Sequence, residues 1–105
     1  MRVTLDECLP RPFGRELAGH AVTTVPQAGL AGVVNGALLR RLVGTTDAFI
    51  TVDKSLPHQQ QLSGLPFGIV VLRVRSNRLE HVQPMAAAVL KALETLKPGD
   101  VVQVS

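Results

Sequence analysis

Residues 67–74 read FGIVVLRV, an almost unbroken run of apolar and β-branched side chains. A run of this length is typical of a strand that is covered on both faces of a sheet. The segments AFITV at residues 48–52 and HAVTTV at residues 20–25 have the same character, and shorter apolar stretches occupy residues 2–5 and 101–104. The chain is therefore predicted to form five short strands.

Segments with helical spacing or a helix-starting proline separate these strands. They predict helices at residues 12–18, 36–43, 57–62 and 84–96. Strands that alternate with helices, joined by right-handed crossovers, form a mainly parallel sheet with helices on both faces. We therefore expect one three-layer α/β/α domain over residues 1–105, with strand order 2-1-3-4-5.

The composition limits the classes of function. The chain has 105 residues, which suits one domain, and its 46% hydrophobic and 18% charged residues exclude a disordered chain. It has a net charge of +3 and three Phe, but no Tyr and no Trp. Recognition of single-stranded nucleic acid by stacking bases on aromatic side chains is therefore not expected. Nucleic-acid binding, if present, is predicted to depend on charge and phosphate contacts.

The sequence also predicts a cellular compartment. Cys8 is the single cysteine, which excludes an internal disulfide and favours a reducing environment. The opening segment MRVTLDECLP contains acids where a signal peptide has its apolar core. No apolar run approaches the ~20 residues that a membrane-spanning helix needs. We expect a cytoplasmic domain with no membrane association.

Acidic residues follow two strands that are neighbours in the predicted sheet. Asp6 and Glu7 come directly after the first strand, and Asp53 comes after the third. Neighbouring strand ends lie ~5 Å apart, so these carboxylates would repel one another unless a cation is present. Oxygen ligands of this kind suit Mg²⁺ or Mn²⁺. Asp6, Glu7 and Asp53 are therefore candidate catalytic and metal-binding residues, although an Asp after a strand is also an ordinary turn or cap residue.

Strand position also assigns the other polar residues to one end of the strands or the other. Asp47 and Asp100 precede their strands and are expected at the opposite edge of the sheet. The polar residues expected at the same edge as the candidate acids form a second tier: Asn35, Ser76, Asn77 and Glu80. Two ordinary interpretations stay open here, a helix cap for Asn35 and a capping box for Asn77 and Glu80, which are three residues apart.

Arginines follow the fourth strand, beside the predicted acidic edge. Arg73 and Arg75 are expected to share a strand face because side chains alternate with a period of two. Together with Arg78 they are candidates for binding an RNA backbone. The alternative is a set of ordinary surface arginines.

Three motifs occur in a specific order along the chain. They are LDECLP at residues 5–10, GLAG at 29–32 followed by Asn35-Gly36, and ITVDKSLPHQQQL at 50–62. Together they resemble the short PIN-like proteins, compact relatives of VapC-type toxin ribonucleases. The resemblance extends to LKPGDVVQV at residues 96–104.

This resemblance implies an acidic pocket that binds Mg²⁺ or Mn²⁺ and hydrolyses single-stranded RNA with a metal-activated water. Asp6 matches the family's first-strand acid, with Glu7 as its neighbour. Asp53 matches the acid of the family's T-x-D motif, with Thr51 as the accompanying threonine. Lys54 is then expected to bind a phosphate oxygen. The resemblance also implies a toxin–antitoxin pair, with an antitoxin protein as partner.

Two alternatives remain open. PIN nucleases usually carry a further acid on a central helix, but residues 36–43 contain none. A non-catalytic, degenerate PIN-like interaction module is therefore the second hypothesis. A bacterial receiver domain fits less well, because Lys97 precedes the last strand instead of following it.

The glutamines at residues 59–61 are expected to face solvent or to contact a second copy of the chain in a homodimer.

Overall fold

The computed structural model describes residues 1–59 and 61–105, with the side chains of all of these except Asn35, His58 and Gln59. Its sheet has five strands: β1 (Arg2–Leu5), β2 (Ala21–Thr24), β3 (Ala48–Thr51), β4 (Gly68–Leu72) and β5 (Val101–Val104). All neighbouring strands are parallel, in the order β2-β1-β3-β4-β5. The predicted sheet and strand order are confirmed.

The helical segments are a 3₁₀ helix at Arg11–Glu16 and the α-helices α1 (Asn35–Leu42), α2 (Leu56–Gln59), α3 (Leu79–Val82) and α4 (Ala86–Thr95). The first segment is a 3₁₀ helix, not the α-helix expected at residues 12–18. Helix α2 begins one residue before Pro57, and Leu62 is not helical. Of the three glutamines at 59–61, Gln60 and the side chain of Gln59 lie outside the described residues.

The last helical stretch begins earlier than Pro84, where the sequence predicted its start. A 3₁₀ turn, Gln83–Met85, joins α3 to α4. Proline has no N–H to donate to the preceding turn of an α-helix, so a proline in the middle of a helical stretch distorts it. Pro84 therefore lies inside the junction between two helices and does not begin the second one.

Each face of the sheet packs against its own helical layer. In β4, Val70 and Leu72 belong to the core beneath α3, α4 and the first 3₁₀ helix, whereas Ile69 and Val71 belong to the core beneath α1 and α2. We call these two surfaces the α4 face and the α1 face. Every residue of β4 is buried, which explains why its sequence is continuously apolar. The predicted three-layer α/β/α architecture is confirmed.

The connection from β4 to β5 has the opposite hand to the other three. The chain moves from β1 to β2 towards one edge of the sheet and from β4 to β5 towards the other edge, but both connections cross the α4 face. The connections from β2 to β3 and from β3 to β4 cross the α1 face and share the hand of the first. One connection therefore departs from the expected right-handed rule. It places α3 and α4 on a face where the first connection supplies only a six-residue 3₁₀ helix.

The amino ends of the strands carry an ion pair far from the candidate acids. The side chain of Asp47 lies 3.1 Å from the guanidinium of Arg2, and its carboxylate also accepts a hydrogen bond from the Arg2 backbone. The side-chain hydrogen bond from Arg2, followed by the backbone one, holds the pKa of Asp47 below its ordinary value. Asp47 thus lies at the opposite end of the strands from Asp6 and Asp53, as predicted.

Within the described ranges, no helix is long and apolar enough to cross a bilayer.

Candidate functional site

Asp6 and Asp53 line one small cavity at the carboxyl ends of β1 and β3. The backbone N–H of Asp6 continues the ladder by donating to the carbonyl of Ile50 at 2.9 Å, and Asp53 lies two residues beyond the end of β3. The cavity measures about 70 Å³. Its other walls are apolar and come from the α1 region, β3 and α2: Val33, Val34, Leu38, Leu39, Phe49 and Leu56. Two of the three predicted carboxylates are therefore brought together.

The Thr51 hydroxyl joins these two aspartates. Thr51 is fully buried, and its Oγ1 donates to Oδ2 of Asp6 at 2.7 Å while accepting from the backbone N–H of Asp53 at 3.0 Å. The other oxygen of Asp6, Oδ1, accepts from the backbone N–H of Glu7 at 2.8 Å. Hydrogen bonds to a carboxylate are among the stronger ones in proteins. They fix the orientation of Asp6 at the cavity.

The two carboxylate oxygens of Asp53 have different surroundings. Its Oδ1 accepts from the backbone N–H of Ser55 at 3.0 Å and from the Ser55 hydroxyl at 2.6 Å, as in an Asx turn that leads into α2. Its Oδ2 accepts no hydrogen bond from any residue that the structure describes. The ordinary interpretation of Asp53 as a turn residue is therefore correct, and it leaves one carboxylate oxygen available to a ligand.

Glu7 lies apart from the aspartate pair. It is exposed, and both of its carboxylate oxygens lie 3.3 Å from the backbone N–H of Gly32, in the loop before α1. Among the described side chains, no group of three or more His, Cys, Asp or Glu residues could hold a metal ion. Magnesium in proteins is often bound by one or two carboxylates, with waters and substrate phosphates as its other ligands. The Asp6–Asp53 pair has the donor chemistry for such a site, without a complete cage of protein ligands.

Cys8 contacts the site but is not a reactive thiol. Burial is the main factor that raises its pKa, and the charge of Asp6 raises it further. The neighbouring backbone of Val52 and the side chain of Thr51 act in the opposite direction and lower the pKa in part. Since the thiolate is the nucleophilic form, these surroundings suppress its reactivity.

A second, open groove begins at Asp53 and runs past the end of β4. Its volume is about 460 Å³. Its walls carry an ammonium group, two hydroxyls and an amide, and they are formed by Val52, Asp53, Lys54, Ser55, Val74, Ser76 and Asn77. The Asn77 amide also donates to the carbonyl of Cys8 at 2.8 Å, which ties the loop after β4 to the loop after β1. Two second-tier residues, Ser76 and Asn77, and the phosphate-binding candidate Lys54 therefore line a groove that begins at Asp53.

No family model, curated protein or solved structure matches this chain. The resemblance to PIN-like proteins therefore stays a prediction. What the site can do has to be judged from the geometry of its described residues.

Helix α3 contains a residue that the sequence did not identify, His81. Nδ1 of His81 lies 2.5 Å from Oγ of Ser76, and this hydroxyl also accepts from the backbone N–H of Arg78 at 3.2 Å.

The predicted capping box is wrong, because Arg78 is the N-cap residue of α3 and has no side-chain cap bond. Asn77 binds the Cys8 carbonyl instead. Glu80 pairs with Arg78 at 3.0 Å on the surface, outside the groove.

Arg73 and Arg75 do not form the predicted strand face. Strand β4 ends at Leu72, so Arg73 and Arg75 both lie beyond it. The guanidinium of Arg73 donates to Oε1 of Gln103 on β5 at 3.2 Å. Arg75 is exposed, and none of the three arginines, Arg73, Arg75 and Arg78, lines the groove.

Asn35 begins α1, but Val34 is the N-cap residue, so Asn35 is not the cap that the ordinary interpretation required. The side chain of Asn35 lies outside the described residues.

Proposed function

We propose that this chain is a Mg²⁺- or Mn²⁺-dependent ribonuclease of the PIN-like type. One observation carries the proposal: Asp6 and Asp53 line the same cavity, at the carboxyl ends of adjacent parallel strands, and the Thr51 hydroxyl joins them. Ligands of open parallel sheets bind at this edge. The order of the sequence motifs supports the same assignment.

The chain's own groups have distinct roles in this proposal. Asp6 and Asp53 hold the ion, Thr51 fixes the Asp6 carboxylate, and Asn77 holds the two neighbouring loops together. A divalent ion held by these two carboxylates would supply the Lewis-acid chemistry that activates a water and offsets charge on the phosphate oxygens. The exposed ammonium of Lys54, in the adjoining groove, binds a phosphate of the RNA backbone.

The proposed substrate is recognised through its backbone. The groove beside Asp53 offers hydroxyl, amide and ammonium groups, and the chain has no Tyr or Trp for base stacking. Single-stranded RNA can approach an open groove of this kind without unpairing. The biological setting that accompanies this proposal is a cytoplasmic toxin with an antitoxin protein as its partner, with a homodimer as a further assembly.

A second candidate is a PIN-like interaction module that does not cleave RNA. It is favoured by the position of Glu7, whose carboxylate is bound to the Gly32 N–H, and by the absence of acids in the α1 sequence NGALLRRL. Both observations leave the cavity with two carboxylates. In this alternative the aspartates have a structural role in the two loops.

The deciding experiment measures cleavage of a labelled single-stranded RNA with Mg²⁺, with Mn²⁺ and with EDTA. We expect metal-dependent cleavage that falls about 100-fold or more in Asp6→Asn and in Asp53→Asn, the size typical of losing one electrostatic catalytic contact. Asp47→Asn is the matched control, because Asp47 lies at the opposite edge of the sheet.

Melting temperatures measured with and without Mg²⁺ separate the two candidates. Binding to the folded state alone raises stability with ion concentration. A Mg²⁺-dependent rise that Asp53→Asn abolishes is expected for the ribonuclease and contradicts the interaction module. Cleavage that persists in the Asp6→Asn, Asp53→Asn double variant would rule out the ribonuclease site.

A further inference from the structure

The two edge strands of the sheet differ in how their outward-facing backbone groups are satisfied. In β2, the N–H groups of Ala21 and of the following Val25 point to β1, so the groups of Val22 and Thr24 point outward. The N–H of Thr24 donates to Oε1 of Gln27 at 3.0 Å, and its carbonyl accepts from the N–H of Ala28 at 3.0 Å. A turn therefore satisfies the outward groups at the carboxyl-terminal end of this edge.

The β5 edge is open. The carbonyls of Asp100 and Val104 accept from β4, so the backbone groups of Val101 and Gln103 point away from the sheet. Within residues 1–59 and 61–105, no N–H or carbonyl pairs with these outward groups. Val101 is 37% exposed, and Gln103 is also exposed. An open edge of this kind is a template for an additional strand.

A groove runs along this open edge. It lies between α4 and β5 and measures about 410 Å³. The small side chains of Ala88 and Ala92 leave space there, and Val102 and Val104 supply an apolar floor. Side chains of an added strand alternate between the two faces of the sheet, so every second one would enter this groove.

Two cations, Lys91 and Arg73, lie near this edge, and Asp100, just before β5, accepts a hydrogen bond from the Lys97 N–H. Lys91 lines the groove on the α4 face, and no described residue forms an ion pair with it. Arg73 lies beside Gln103 and donates to its side-chain oxygen. No acid lines the groove. A second copy of this chain would bring the same cations to the contact, whereas an acidic strand would complement them.

We propose that the β5 edge binds an extended, acidic segment of a partner protein as a sixth strand of the sheet. The outward groups of Val101 and Gln103 supply the backbone hydrogen bonds. The groove between α4 and β5 accepts alternate side chains, and Lys91 and Arg73 select acidic residues. This inference is independent of the proposed ribonuclease, because it uses none of the groups at the aspartate pair.

The probe is a synthetic blocked peptide of alternating Glu and Val, observed by amide chemical shifts and by hydrogen exchange in ¹⁵N-labelled protein. We expect shifts and slower exchange at Val101 and Gln103 and no change at Thr24, whose outward groups are already bonded. A peptide with Lys in place of each Glu is the charge control and is expected to bind at least about tenfold more weakly.

Two matched pairs of variants test the two halves of the proposal. Gln103→Pro removes an outward N–H without breaking the ladder to β4, and proline is tolerated at such edge positions. Gln103→Thr keeps the N–H and removes only the amide side chain. Lys91→Glu reverses the charge of the groove, and Arg40→Glu on α1 makes the same change of net charge on the other face. We expect Gln103→Pro and Lys91→Glu each to weaken peptide binding about tenfold or more, with the two controls within about twofold of the native chain.

Three results would overturn the proposal. One is the absence of any perturbation at β5 with millimolar acidic peptide while the native fold is intact. Another is equal binding of the acidic and basic peptides. The last is dimerisation of the chain that Gln103→Pro abolishes, since it would assign the edge to a second copy. Circular dichroism of each variant checks folding, and Lys91→Glu tests the proposal if Gln103→Pro does not fold.

Discussion

Replacing Thr51 by valine removes the hydroxyl between the two aspartates and keeps the shape of the side chain. Two groups then lose their partner: Oδ2 of Asp6, bonded at 2.7 Å, and the N–H of Asp53, bonded at 3.0 Å. A hydrogen bond to a charged group contributes about 1.5–3 kcal/mol and a neutral one about 1 kcal/mol. Water reaches the half-buried Asp6, and its hydrogen bonds to that carboxylate offset part of the lost free energy. We expect Thr51→Val to lower the free energy of unfolding by about 2–3 kcal/mol.

Urea unfolding at pH ~7, followed by circular dichroism, measures this loss. Thr51→Ser is the matched control: it keeps the hydroxyl and removes one buried methyl, at a cost of about 1 kcal/mol. A Thr51→Ser variant as unstable as Thr51→Val would refute the hydrogen-bond explanation and assign the effect to packing. A double-mutant cycle with Asp6→Asn should then give a coupling energy of about 1 kcal/mol or more between the two positions. If the losses of unfolding free energy in the two single variants simply add in the double variant, the hydrogen-bond explanation is also contradicted.

Two further predictions concern the backbone and the pH dependence. Gly99 and Gly19 have similar positive φ values of 84° and 88°, but a Cβ at Gly99 would lie 2.4 Å from the carbonyl oxygen of Ser63, whereas Gly19 faces open space. Gly19→Ala should cost about 1–2 kcal/mol and Gly99→Ala about 1–3 kcal/mol more, measured by urea unfolding; equal losses would contradict the steric explanation. Because Arg2 lowers the pKa of Asp47, the native chain should be more stable than Asp47→Asn at neutral pH. That difference should disappear as the pH falls from about 5 to about 2, and a constant difference would exclude the ion pair as its source.

The sheet was predictable because its strands are continuously apolar and short. β3 and β4 are buried throughout, and their short, mostly apolar sequences AFIT and GIVVL are typical of central strands. The start of the last helical stretch was not predictable in the same way. Pro84 is a common first residue of a helix, and only the packing of Val82 and Leu79 against the core shows that the helix has already begun. Local sequence does not report that contact.

The aspartate pair was predictable from strand order alone. Asp6 and Asp53 follow strands that are adjacent in the sheet, and backbone register brings them to one cavity. The position of Glu7 was not, because Glu7 lies in the turn after β1 and its partner, the Gly32 N–H, is 25 residues away in the sequence. The Ser76–His81 contact depends on the turn before α3, which Arg78 and not Asn77 caps. Side-chain partners across loops depend on geometry that residue spacing does not encode.

The opposite hand of the β4–β5 connection also bears on how this chain can be related to other proteins. Loops can lengthen and helices can shrink one residue at a time while a sheet stays intact. A helix cannot pass from one face of a sheet to the other in this way, since the strand after it must first leave the sheet. Strand order 2-1-3-4-5 is common to many α/β domains. Common descent with any of them therefore requires the same face for α3 and α4, and shared strand order is not sufficient.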